Sequence, residues 1–155
     1  EMSPDDARFL AIISEGRLGE ALTTDVKDTR ARQQELINLV RPQSLQSIES
    51  ILSSAEAIAK AARAQDILAW LARWIRDLIL IQVGGDRDQL LYLDDLRTLE
   101  SYAQDANTDQ LLDLLREIET TEQRATRNLN LHMALETILL RLREALALTP
   151  TGAPA

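Results

Sequence analysis

The sequence predicts an all-α fold, a compact bundle of five to six helices. Three observations point there. Aromatic residues make up only 3% of the 155 residues and there are five glycines, a balance that suits helices filled by Leu, Ile and Ala better than sheets. The apolar residues, 45% of the chain, recur at three- and four-residue spacing, which is the helical period. Starts and stops are also written into the chain, at Ser3-Pro4, Pro42, Gly84-Gly85 and Asn107-Thr108-Asp109-Gln110.

Ser3 can cap a first helix, Pro4 fits its first turn, and Asp6 can complete a capping box. Phe9, Leu10, Ile12 and Ile13 supply its apolar side before Gly16, and a second helix is expected to open near Leu18. From there Leu22, Val26, Leu36, Ile37 and Val40 fit one long helix whose middle, Thr23 to Glu35, is polar and expected to be solvated. Pro42 ends it. Ser44 is expected to open the next, with Leu45, Ile48, Leu52, Ala55, Ala59 and Ala62 on one side.

Ile67 to Val83 is the stretch around which the rest is built. At 100° per residue its apolar side chains cover roughly two thirds of the circumference, so neighbours are expected on several sides. Trp70, Leu71, Trp74, Ile75, Leu78 and Ile79 turn away from a polar stripe of Asp66, Arg73, Arg76 and Asp77. Those charges, and the short run, argue against a membrane span. Gly84-Gly85 ends the helix, and Leu90 to Leu96 reads as a loop leading into a short helix that reaches about Tyr102. Behind the Asn107 capping box, Leu111, Leu114, Leu115, Ile118 and Ala125 form a stripe. The last helix runs from near Asn130 to Leu148, with Leu131, Leu135, Ile138, Leu139, Leu142, Ala145 and Leu146 on the face to be buried. Met133, Leu140 and Leu148 lie off that face. Residues 149–155 have nothing to pack and are expected to be disordered.

Composition narrows the chemistry. There is no cysteine and a single histidine, which removes disulfides, thiol catalysis and His-rich metal sites. A net charge of −8 discourages loose adhesion to nucleic acid. Neither a signal peptide nor a membrane span is read, so a cytoplasmic location is expected, and Glu1 ahead of Met2 suggests a piece of a longer chain. His132 stands without a catalytic or ligand spacing. Asp86, Asp88, Asp94 and Asp95 lack the terminal Glu of a calcium loop and read as a solvated turn. Glu117, Glu119 and Glu122 among Arg116, Arg124 and Arg127 read as surface ion pairs. Gly16-x-x-Gly19 lacks the strand, third glycine and lysine of a phosphate cradle. No catalytic residue, cofactor or metal is therefore expected. Arg73 and Arg76 suit either a salt bridge at the core edge or a contact with another subunit.

Three segments carry a resemblance: Ser14-Glu15-Gly16-Arg17-Leu18-Gly19-Glu20-Ala21-Leu22; Trp70-Leu71-Ala72-Arg73-Trp74-Ile75-Arg76-Asp77-Leu78 with Gly84; and Asn128-Leu129-Asn130-Leu131 followed by Ala134-Leu135-Glu136. In this order they resemble the C-terminal region of the bacterial clamp-loader family, specifically its DNA polymerase III delta-prime subunits. The resemblance implies a non-catalytic helical collar that packs side by side with related subunits, gamma/tau and delta, to hold a pentamer that loads the sliding clamp onto primed DNA. On that footing residues 1–22 resemble the end of the ATPase-like module, 23–148 form the collar and 149–155 a tail. Gly19 and Glu20 stand where ATP-binding members carry a sensor arginine, so no nucleotide role is implied for them.

The expected core comprises Trp70, Trp74, Leu78, Leu135, Ile138 and Leu142, and the candidate subunit interface Arg73, Arg76, Met133, Leu140 and Leu148. The isolated chain is expected to be monomeric, without DNA contact. The alternatives are an unrelated helical adaptor that binds a partner helix and a small helical enzyme; the enzyme would need a polar pocket of convergent ionisable groups.

Overall fold

Ser3 opens α1 (Pro4–Ile13) by accepting the Asp6 N–H on its hydroxyl at 3.1 Å, with Pro4 in the first turn, where its missing N–H costs nothing. The chain is seen as a computed structural model that describes residues 2–14, 17, 19, 23–39, 42–60, 64–93, 96–125 and 130–148. Gly16, Leu18, Leu22, Val40, Ala62, Asp94, Asp95, Arg127, Asn128, Leu129 and the tail 149–155, each part of an expectation above, lie outside the described residues. Seven α-helices occur among those described, and no strand. The all-α expectation therefore holds.

By packing the chain divides into two units, residues 1–38 and 39–155. The first holds α1 and all but the last residue of α2 (Val26–Leu39). The single long helix expected from Leu18 is not formed: Thr24 and Asp25 are non-helical. Asp25 caps α2 instead, accepting the N–H groups of Lys27 and Asp28 at 2.9 and 3.2 Å. Within this unit Arg30 joins α2 to α1, its guanidinium 4.4 Å above the Phe9 ring and 3.2 Å from the Asp6 carboxylate. A cation over a ring face and beside a carboxylate gains from both contacts.

The second unit holds a 3-10 turn (Pro42–Leu45), α3 (Ile48–Lys60), α4 (Ala64–Gln82), a second 3-10 turn (Arg87–Gln89), α5 (Leu96–Asp105), α6 (Thr108–Ala125) and α7 (Leu131–Ala145). Neighbours run in the order α5, α4, α6, α7, α3, with the first 3-10 turn against α3 and α7. Ser47, not Ser44, caps α3, through the Ser50 N–H at 3.1 Å. The buried face of α3 is also rotated from the expected one: Ile51, Ser54, Ala55 and Ile58 are inside, while Ile48 and Leu52 are 60% and 41% exposed.

The core expectations along α4 meet a helix with nine buried residues, Trp70, Trp74 and Leu78 among them. The two indoles stack with centroids 5.8 Å apart, Tyr92 tilts against Trp70 at 6.1 Å, and Tyr102 meets Trp74 edge-on at 5.7 Å. Such pairs add to the area that the rings bury. At its end Gly84 takes φ +70°, the Gly84 N–H bonds to the Ile81 carbonyl and the Gly85 N–H to that of Leu80. This is the paired closure that a left-handed residue makes possible. Gln82 then binds three partners, donating to the carbonyls of Ala103 and Ala106 and accepting from the Thr108 hydroxyl. It ties the end of α4 to the corner between α5 and α6.

Helix α5 continues past Tyr102 to Asp105. Asn107 caps α6 through the Gln110 N–H at 3.0 Å, while its own N–H bonds to the Ala145 carbonyl at the end of α7. Leu111, Leu114 and Ile118 are buried on α6, and Leu135, Ile138, Leu139, Leu142, Ala145 and Leu146 on and just after α7. Helix α7 stops at Ala145 rather than Leu148. Ala147 adopts φ +53°, and the N–H groups of Ala147 and Leu148 close onto Glu144 and Arg143. An alanine here does what Gly84 does on α4, at a steric cost that no glycine would incur.

Candidate subunit interface

Of the polar stripe of α4 only Asp77 is buried, Arg73 is half-buried, and Asp66 and Arg76 are exposed. Asp77 is fully buried, and one of its carboxylate oxygens accepts the backbone N–H groups of Leu91 at 2.8 Å and Tyr92 at 2.9 Å. The other accepts from Arg76 at 3.0 Å, and Arg76 also donates to the Gln89 carbonyl. Burial pushes the Asp77 carboxyl above its ordinary range, while the two backbone N–H groups and Arg76 pull it back. Burial pushes the Tyr92 phenol up to about 12, and the neighbouring Arg73 charge opposes the shift. Arg76 and Asp77 thus hold the segment 89–92 on α4, with Leu90 buried beneath it.

The other candidates lie on and just after α7. Met133 is 62% exposed, whereas Leu140 and Leu148 are half-buried. The five candidates therefore fall into two groups, one on α4 around Asp77 and one along α7. Two further exposed apolar residues, Ile48 and Leu52, lie on the side of α3 that the sequence groups with Leu45 and Ala55. The signal was present: Ile51, Ser54, Ala55 and Ile58 also form a helical stripe, set beside the one chosen.

The charged clusters make local contacts. His132 Nε2 lies 3.2 Å from Glu136 on the same helix, and Asp86 caps the second 3-10 turn through the Asp88 N–H. Glu117 pairs with Arg141 across α6 and α7, and Arg116 with Asp113 along α6. No group of three or more His, Cys, Asp or Glu able to hold a metal ion occurs among the described residues. No described helix is long and apolar enough to cross a membrane.

Residues 27–144 match the profile of a family described as DNA polymerase III, delta subunit, C terminal. No curated protein and no solved structure matches the chain.

Proposed function

Because the chain belongs to the family formed by the C-terminal domains of DNA polymerase III delta subunits, a non-catalytic helical family, we propose that it is the collar of a delta-prime protein of the clamp loader. In this reading it works in the cytoplasm and performs no chemistry of its own. It holds the neighbouring gamma/tau and delta subunits in the pentamer that places the sliding clamp on primed DNA. The observation that carries the reading is the family match across residues 27–144, which spans the helices of the second unit up to the last residue of α7. The resemblance of Trp70 to Leu78 and of Asn130 to Glu136 to delta-prime sequences supports the choice among the family's subunits. A collar must own a core and still offer flanks, and the exposed Met133 and the half-buried Leu140 and Leu148 supply one.

The test is reconstitution of the chain with purified gamma/tau and delta subunits, followed by sedimentation velocity. A stable complex of mixed subunits is the expected result, with the chain alone running as a monomer. A chain that never enters the complex, or that forms a tight homodimer at micromolar concentration, would overturn the reading.

A further inference from the structure

We draw no further inference here: the strongest candidate, the outward face of α3 on which Ile48 and Leu52 stand exposed, carries none because nothing in the structure shows what covers it.

Discussion

Helices α4 and α3 break the rule of polar outside and apolar inside in opposite directions. On α4 a carboxylate is inside: Asp77 has no exposed surface. On α3 a leucine and an isoleucine are outside, Leu52 at 41% and Ile48 at 60% exposure. The first mismatch is resolved within the chain, because the N–H groups of Leu91 and Tyr92 and the Arg76 guanidinium supply the hydrogen bonds that a buried charge requires. The second has no such resolution among the described residues. A buried polar group must find its partners for the chain to fold, whereas an exposed apolar pair is tolerated by the folded chain.

If that contrast is right, α4 variants should lose stability and α3 variants should not. Trp74→Ala is the largest effect expected, a loss of about 3–5 kcal/mol from emptying a buried aromatic site between Trp70 and Tyr102. Urea denaturation followed by circular dichroism measures it, and a loss under half of that would mean that the second unit does not depend on α4. Asp77→Ala should cost about 1–3 kcal/mol, since it leaves the Leu91 and Tyr92 N–H groups without their acceptor. Asp77→Asn should cost less, because one amide oxygen can still accept both.

The pH dependence of stability sharpens the same point. With its carboxyl raised by burial, Asp77 binds its proton more tightly in the native state than in the unfolded chain. Its contribution is therefore fully present below the ordinary carboxyl range, falls as pH rises through the raised value, and is flat above it. Subtracting the urea midpoints of Asp77→Asn from those of the wild type across acidic pH should isolate this slope; parallel profiles would remove Asp77 as its source. The smallest effect belongs to α3: Leu52→Glu should change the stability of the isolated chain by no more than about 0.5 kcal/mol, as for any surface site. A large loss there would show that Leu52 supports the core after all.

Much of the fold was legible because its signals are local. Ser3, Gly84 and Asn107 act where the sequence placed them, since a cap needs only its own turn. The stop at Ala147 was not legible, because an alanine in a left-handed conformation carries no mark in the sequence. Ser47 and Asp25 were missed for another reason: Ser44 and Leu18 offered equally plausible starts, and only the hydrogen bonds made distinguish them. Of the candidate interface, the exposure of Met133 followed from its angle on α7. Arg73 and Arg76 did not behave as free cations, because the segment that meets them comes from 13 or more residues further along the chain.

The sequence by itself determined where helices form, which residues share each face, and, through its likeness to clamp-loader subunits, the kind of protein to look for. Periodicity fixes an angle around a helix axis and nothing more. On α3 two adjacent stripes were apolar enough to be buried, and only the packing of α3 against α7 and the first 3-10 turn selected Ile51, Ala55 and Ile58 over Ile48 and Leu52. On α4 only the return of residues 89–92 made Asp77, within a polar stripe, an interior residue. Both choices depend on groups distant in the chain, whose arrival no local pattern encodes.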